Sequence, residues 1–347
     1  MKTVLFCMNP YSFGILQPIM EVLKEKNDEY IWFVRASIIE KFPFKDENVT
    51  SNIKEIINFK SDAIFVPGNE VPYYLRGVKT QVFHGLAGEK KSHFRIRSYF
   101  DLYLTQGPYF TKWFSEAAQK HKNFSVVETG WPKLDIYGKE LHKYDEDKQD
   151  LLHSSNTEKI ILFAPTFSPS LSSAPYLLAQ IEELAAHKEY LIVIKFHDLM
   201  AQNLIDLYKK IADKFENVLF VEERNIIKYL LIADLMISDT SSVVYEFLLL
   251  DKPVLTFKNN AAVANWDNSL SYSGLVHKVA VNLTEDPFKE NRANILKEYH
   301  PYTDGNSAIR MVNAVEAYIE KNGVPEKRVI SWFRSYKITE LFGKTDV

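Results

Sequence analysis

The sequence is poor in the features that mark several large classes of protein. It holds a single cysteine, Cys7, among 347 residues, which excludes an internal disulfide and a multi-cysteine metal site. Basic and acidic residues nearly balance, 42 against 45, whereas a nucleic-acid-binding domain usually carries a strong basic excess. We therefore expect no nucleic-acid partner, and we expect any anion to be bound by a local cluster of residues.

Signatures of membrane insertion and of common nucleotide sites are also absent. The apolar stretch at the N-terminus is too short for a signal peptide, and no later run reaches the length of a membrane span, which predicts a cytoplasmic protein. There is no phosphate-binding loop ending in Gly-Lys-Ser/Thr and no G-x-G-x-x-G, so the usual ATP and NAD sites lose their main support. The zinc-binding pattern H-E-x-x-H and the nucleophile elbow G-x-S-x-G are missing as well. We expect neither a metal nor a cofactor.

What is present is a regular alternation of short apolar runs with helical patterns, which is typical of βαβ units and parallel sheets. A charged stretch before residue 159 interrupts it. We predict an α/β protein of two doubly wound, Rossmann-like domains facing each other across a cleft, with function at the carboxyl ends of the strands. The predicted parts are an acceptor-side domain at 1–145, a linker at 146–158 and a donor-binding domain at 159–347 that includes the C-terminal helices. The predicted strands are 4–8, 30–34, 63–66, 80–83, 102–104, 125–127, 159–164, 191–195, 217–221, 234–238 and 253–257.

A cluster of small polar residues gives the strongest indication of a ligand site. Asp239, Thr240, Ser241 and Ser242 follow a predicted buried strand where the next helix begins. Free N–H groups at a helix N-terminus favour a phosphate, and small side chains allow it to approach. Glu246 lies one turn further on the same face, where its carboxylate can accept hydrogen bonds from ribose hydroxyls. Simple capping of the helix is the alternative.

Two histidines occupy equivalent positions in the two predicted domains. His84, followed by Gly85, comes after the strand at 80–83, and His197 comes after the strand that ends at Lys195. A histidine at a strand end suits a general base near neutral pH or a phosphate ligand. Thr166, after the first strand of the second domain, adds a hydroxyl at the same edge.

A basic stretch lies just beyond His84. Lys90, Lys91 and Arg95 belong to it, and these side chains suit an anionic acceptor or an acidic bilayer surface. A solvated loop is an equally good interpretation.

Taken in order, these segments resemble the CDP-glycerol glycerophosphotransferase family of teichoic acid and capsule polymerases, which has a GT-B-like fold. The resemblance covers roughly residues 80–312. The segments that carry it are Phe83-His84-Gly85, Gly130-Trp131-Pro132-Lys133-Leu134-Asp135, Leu162 to Phe167, Ile194 to His197, Ala233 to Pro253 and Asp304 to Arg310.

The resemblance implies a transferase that moves glycerol phosphate, or a related polyol phosphate, from a CDP-activated donor to a hydroxyl of a glycan, lipid-linked or polymer acceptor, releasing CMP. His84 would deprotonate the acceptor, His197 would help to bind the donor phosphate, and a set of further residues would hold the donor: Lys195, Thr166, Asp239, Thr240, Ser241, Ser242 and Glu246. Gly85, Lys90, Lys91 and Arg95 would contact the acceptor or a phosphate. A peripheral contact with the inner face of the membrane stays open. So do two other activities, a GT-B glycosyltransferase using a UDP- or CMP-linked sugar and an enzyme like the nucleotide-sugar 2-epimerases.

Overall fold

The computed structural model describes residues 1–86, 94–223, 225–261 and 264–343. The chain divides into two compact units. The first contains Met1–Lys139 together with Glu298–Val347, and the second is the continuous segment Glu140–Lys297.

The first unit is built on a seven-stranded parallel sheet. Its strand order is β3-β2-β1-β4-β5-β6-β7, the order of a doubly wound fold. Its strands and helices before residue 140 are β1 Lys2–Cys7, α1 Ser12–Glu25, β2 Glu29–Val34, β3 Val49–Thr50, α2 Ile53–Phe59, β4 Ala63–Val66, β5 Val78–Gln81, β6 Leu102–Thr105, α3 Pro108–His121, β7 Ser125–Glu128 and α4 Ile136–Lys139.

The second unit repeats the plan with a six-stranded parallel sheet in the order β10-β9-β8-β11-β12-β13. Its elements are α5 Asp145–Ser155, β8 Lys159–Phe163, α6 Ala174–Ala185, β9 Tyr190–Lys195, α7 Gln202–Lys214, β10 Val218–Val221, α8 Ile227–Ile232, β11 Leu235–Ser238, α9 Val243–Leu248, β12 Val254–Phe257, β13 Asp267–Ser269, α10 Leu275–Thr284 and α11 Lys289–Tyr299. Helices α12 Ser307–Asn322 and α13 Trp332–Phe342 then return to the first unit.

Each sheet is the centre of its own apolar core. The strands next to the order reversal are buried along almost their whole length, as expected for parallel strands covered on both faces. Cys7 is fully buried, and burial raises the pKa of its thiol to about 12, so it is a packing residue of β1. The two-domain α/β architecture predicted from the sequence is confirmed.

The domain boundaries differ from the predicted ones. The segment predicted as a linker at 146–158 is mostly helix α5, because Asp145–Ser155 continues as regular helix and belongs to the second unit. The assignment of the C-terminal helices to the second domain is wrong. Helix α12 packs Met311, Val312 and Val315 into the core of the first unit.

Two sequence motifs fasten α12 to the first unit. The Asp135 carboxylate accepts hydrogen bonds from the N–H groups of Ser307 and Ala308, both at 2.8 Å, and so caps the helix from a distant segment. Gly130, at φ +84°, lies so close to the Ser307 hydroxyl that a Cβ there would collide with it. Arg310 donates from Nε to the carbonyl of Thr129 at 2.8 Å. The segments 130–135 and 304–310, on which part of the resemblance rests, therefore contact each other closely in the folded protein.

Candidate active site

The candidate residues lie where the strand order of each sheet reverses. In the first unit this point is between β1 and β4, and in the second it is between β8 and β11. Loops that leave neighbouring strands in opposite directions open a crevice there, which is where doubly wound folds bind ligands.

His84 is held over the reversal point of the first unit. Its Nδ1 lies 3.0 Å from the carbonyl oxygen of Pro67, in the loop after β4. Its ring stacks on Tyr11, in the turn after β1, with the ring centroids 5.4 Å apart. The side chain is half-buried. Contacts from two different loops therefore fix the position and the plane of the imidazole.

The contact with Pro67 also determines which nitrogen of His84 is basic. A carbonyl oxygen can only accept a hydrogen bond, so Nδ1 must carry the proton. In the neutral ring Nε2 then holds the lone pair. This is the tautomer required of a general base that acts through Nε2.

Two buried glutamines that sequence reasoning missed support His84. Gln81 donates from Nε2 toward the carbonyls of the loop after β4, at 3.2 Å to Val66, 3.2 Å to Pro67 and 2.9 Å to Gly68. Gln106 donates to the carbonyl of Gly85 at 3.1 Å. The sequence feature that could have identified them is a glutamine at the end of a predicted buried strand.

The backbone just before His84 departs from the predicted strand. β5 ends at Gln81, and Phe83 adopts a left-handed conformation with φ +63°. Such a conformation is costly for a side chain of this size. It turns the chain so that the next residue leaves the direction of the strand.

His197 has the opposite tautomer. Its Nδ1 accepts a hydrogen bond from the N–H of Leu199 at 3.1 Å, so in the neutral ring the proton is on Nε2. Its ring packs on Phe167 with centroids 4.4 Å apart. Burial, reinforced by Lys195 and opposed by Asp198, lowers the pKa of His197. Packing desolvates part of the ring although the side chain still reaches solvent, so the imidazole is a neutral N–H donor near pH 7.

Asp239 connects several loops at the reversal point of the second unit through hydrogen bonds. Its fully buried carboxylate accepts hydrogen bonds from the N–H of Thr166 at 2.8 Å and from the N–H and hydroxyl of Ser173 at 2.7 and 2.9 Å. Asn259 donates to its carbonyl at 2.7 Å. Burial raises the pKa of Asp239 to about 6. Its carboxylate thus joins the loops after β8 and β11, which is a positioning role, and the predicted contact with a donor stays a prediction.

The neighbouring hydroxyl residues are better placed for a ligand. Ser241 and Ser242 are half-buried at the start of helix α9, and the Ser242 side chain does not cap that helix. The Thr240 hydroxyl is buried and has no hydrogen-bond partner within the described part of the chain. Glu246, on α9, is 5% exposed, and its predicted contact with a ribose stays a prediction.

The four predicted basic residues have different environments. Lys195, at the end of β9, is buried; its ammonium group donates to the carbonyl of Phe196 at 2.8 Å, and burial lowers its pKa. Arg95 is exposed in the first unit. Lys90 and Lys91 lie outside the described residues. The second unit thus brings together Thr166, His197 and the residues after β11, while His84 and Gly85 lie in the first.

Within the described residues, no group of three or more histidine, cysteine, aspartate or glutamate side chains is arranged to hold a metal ion. No described helix combines the length and apolar character needed to cross a bilayer.

Comparison with known proteins identifies relatives for this architecture. The family profile of CDP-glycerol:poly(glycerophosphate) glycerophosphotransferase matches residues 72–263. The chain is 25% identical over 281 residues to the teichoic acid poly(glycerol phosphate) polymerase of Bacillus spizizenii W23, covering 69% of this chain and 68% of that protein. It is 28% identical over 213 residues to the teichoic acid glycerol-phosphate primase of Bacillus subtilis 168, covering 57% of this chain and 53% of the primase.

Among solved structures, the wall teichoic acid polymerase TagF aligns with a TM-score of 0.68 at 20% identity. The alignment covers 92% of this chain and 89% of that one. At this identity the likeness establishes the fold.

Proposed function

The chain belongs to the CDP-glycerol:poly(glycerophosphate) glycerophosphotransferase family, and from that membership we propose the reaction that it catalyses. Glycerol phosphate, or a related polyol phosphate, is transferred from a CDP-activated donor to a hydroxyl of a glycan, lipid-linked or polymer acceptor, and CMP is released. The observation that carries the proposal is the family match over residues 72–263, which spans both histidines and the hydroxyl cluster.

The tautomers of the two histidines support complementary roles. His84 holds its proton on Nδ1, facing Pro67, which leaves Nε2 as the basic nitrogen. His197 holds its proton on Nε2, because Nδ1 accepts from Leu199. A base and a hydrogen-bond donor are the two functions that transfer of a phosphoryl group to a hydroxyl demands of the protein.

In the proposed mechanism, Nε2 of His84 takes the proton of the acceptor hydroxyl as its oxygen attacks the phosphorus nearer glycerol. A bond forms between these two atoms. The bond from that phosphorus to the bridging oxygen breaks, and the electron pair leaves with CMP. The Nε2–H of His197 and the hydroxyls of Ser241 and Ser242 donate to phosphate oxygens, where negative charge increases. We propose that these groups act without a cofactor, the nucleotide donor being a substrate.

We propose that the acceptor is presented at a membrane surface, so that the chain works at the inner face of the membrane through a peripheral contact. The exposed Arg95 and the basic residues Lys90 and Lys91 of the same stretch suit an anionic acceptor or the headgroups around it.

Calorimetric binding of CDP-glycerol, CDP-ribitol, CMP, UDP-glucose and UDP-N-acetylglucosamine at equal concentrations tests the donor. We expect a CDP-polyol to bind most tightly. Preference for a UDP-sugar would make the chain a glycosyltransferase or an enzyme like the 2-epimerases, and the chemistry at phosphorus would be wrong.

The base is tested by His84→Ala. General-base catalysis contributes about 10²- to 10⁴-fold, so turnover measured as CMP release should fall by that factor while affinity for the donor is retained. His121→Ala is the matched control, since His121 is an exposed histidine of the same unit at the end of α3. Unchanged turnover in His84→Ala would remove the assigned role.

A further inference from the structure

The last helix of the chain exposes an unusual set of large apolar side chains. Trp332 is 82% exposed, Phe333 66% and Tyr336 67%, and Val329, just before the helix, is 90% exposed. Residues 332, 333 and 336 share one face of α13. Single exposed apolar residues are common, but contiguous patches usually mark an interaction site. We call these four residues the α13 patch.

Helix α13 is packed firmly against the first unit on the side opposite the α13 patch. On its other side α13 buries Ile338 completely and packs Phe342 against Phe6 and Phe33, with ring centroids 5.7 and 6.4 Å away. Ser335 donates to the Tyr73 hydroxyl at 2.9 Å. The helix is thus fixed to the sheet of the first unit, and its patch faces outward.

The segment that contains the patch is rich in cationic side chains. Arg334, on α13, donates to the carbonyl of Ile96 at 3.2 Å and so joins the helix to the segment that contains Arg95 and Arg97. Burial lowers the pKa of Arg97, and repulsion from Arg95 and Arg334 lowers it further, while Glu70 and Tyr103 oppose the shift. The segment 325–343 contains four basic residues, Lys327, Arg328, Arg334 and Lys337, and two acidic ones, Glu326 and Glu340.

The distribution of these charges matters as well. Arg328 is paired with Asp101, and Lys337 is paired with Glu70. Lys327 and Arg95 are exposed, and so are the carboxylates of Glu340 and of Glu326, the second of which is paired with Arg76. Cations therefore outnumber carboxylates in the segment that carries the aromatic face.

We propose that the α13 patch is the surface by which this chain docks on an anionic lipid bilayer. Tryptophan and tyrosine favour the boundary between headgroups and acyl chains because one part of the ring system is apolar and another forms hydrogen bonds. Cationic side chains at the margin are attracted to the negative surface potential of such a bilayer, at a strength that falls within a Debye length. Aromatic anchoring and a basic margin together match a membrane surface better than a second protein of unspecified charge.

This inference rests on the membrane contact included in the proposed function, but it is tested separately from the transfer reaction. Purified full-length protein is mixed with sedimentable vesicles of phosphatidylcholine alone or of phosphatidylcholine with phosphatidylglycerol, without donor or acceptor. The variants are the double substitution Trp332→Ser with Phe333→Ser and, as control, Leu270→Ser. Leu270 is an exposed apolar residue of the second unit, 80% exposed.

We expect binding to the phosphatidylglycerol vesicles that weakens as salt is added. The double variant should partition at least about tenfold more weakly, since it removes two aromatic side chains from the contact, and Leu270→Ser should bind like the parent. Turnover with a water-soluble acceptor should be unchanged in the double variant.

Two results would overturn the proposal. One is a parent protein that ignores anionic vesicles, or a double variant that binds them equally well. The other is a parent that forms a dimer by sedimentation while the double variant is monomeric and neither binds vesicles, which would assign the patch to a second copy of the chain. Either result can occur with donor binding and turnover intact, so it would not refute the transfer reaction.

Discussion

Replacing Gln81 with leucine tests whether the site depends on how His84 is held. Gln81 is 3% exposed, and its amide donates to the loop whose Pro67 carbonyl fixes Nδ1 of His84. Leucine nearly preserves the buried volume but removes the donor. The imidazole itself and its immediate partner remain in the sequence.

The expected size of the effect follows from these contacts. Loss of a buried amide that serves carbonyl groups costs about 1–3 kcal/mol of unfolding free energy. A displacement of a catalytic group by about 1 Å can cost about 10²-fold in rate. We therefore expect kcat for CMP release to fall by about 10- to 100-fold, with little change in KM for the donor, whose predicted contacts lie in the second unit.

Asn217 provides a closely matched control. It is 2% exposed, and its amide donates to the carbonyls of Ala185 at 3.1 Å, His187 at 3.3 Å and Tyr190 at 2.9 Å. It precedes β10, at the opposite end of that strand from the candidate site. Asn217→Leu should lose similar stability in urea unfolding and keep its kcat.

The comparison can fail in two ways. If both variants lose kcat in proportion to stability, Gln81 is a structural residue like Asn217. If Gln81→Leu loses stability but keeps kcat and its pH profile, His84 does not depend on this support. A base released from its fixed tautomer should instead shift the acid limb of the kcat profile, which loss of stability alone does not do.

Four further results are expected. His197→Ala should weaken donor binding about 10- to 100-fold, the value of one hydrogen bond to a charged group. Because burial lowers the pKa of His197 and so keeps it neutral, the affinity of the parent protein for the donor should not fall between about pH 7 and pH 8 in calorimetry. Burial lowers the pKa of His300 from 6.5 to about 4, so the unfolded state binds its proton more readily and stability should fall by about 3 kcal/mol as pH drops through that range. His300→Gln, which keeps an acceptor for the N–H of Trp131, should remove that loss in urea titrations. Asp135→Ala should cost about 3 kcal/mol by leaving two N–H groups of α12 uncapped, and Asp135→Asn about half as much. Turnover should survive EDTA, since His197 and the hydroxyls of Ser241 and Ser242 are proposed to stabilise the charge on the phosphate; loss of turnover in EDTA would indicate a required metal.

The parallel strands were predictable because their burial makes them continuous apolar runs. The eleven strands predicted from the sequence are present, and their ends differ from the predicted ones by at most two residues. The two that were missed, Val49–Thr50 and Asp267–Ser269, are short edge strands. The second contains no apolar residue, so its pairing with β12 depends on the neighbouring strand and leaves no periodic signal.

The chemistry of the site was predictable by residue type but not by role. Asp239 belongs to the polar cluster after β11, yet only the structure reveals that its carboxylate faces Thr166 and Ser173. A sequence contains no information about where a side chain points once its loop has folded. The tautomers of His84 and His197 depend on partners 17 and two residues away, so they too required the structure.

The second unit is an insertion within the first, and this order has a consequence for synthesis. Residues 140–297 leave the ribosome before 298–347, which contribute α12 to the first core. The second unit can therefore complete its folding first. The sheet of β1 to β7 remains partly uncovered until α12 has been synthesised. A nascent chain arrested after residue 297 should already protect the inserted unit from protease, yet leave the N-terminal sheet open to cleavage or to chaperones.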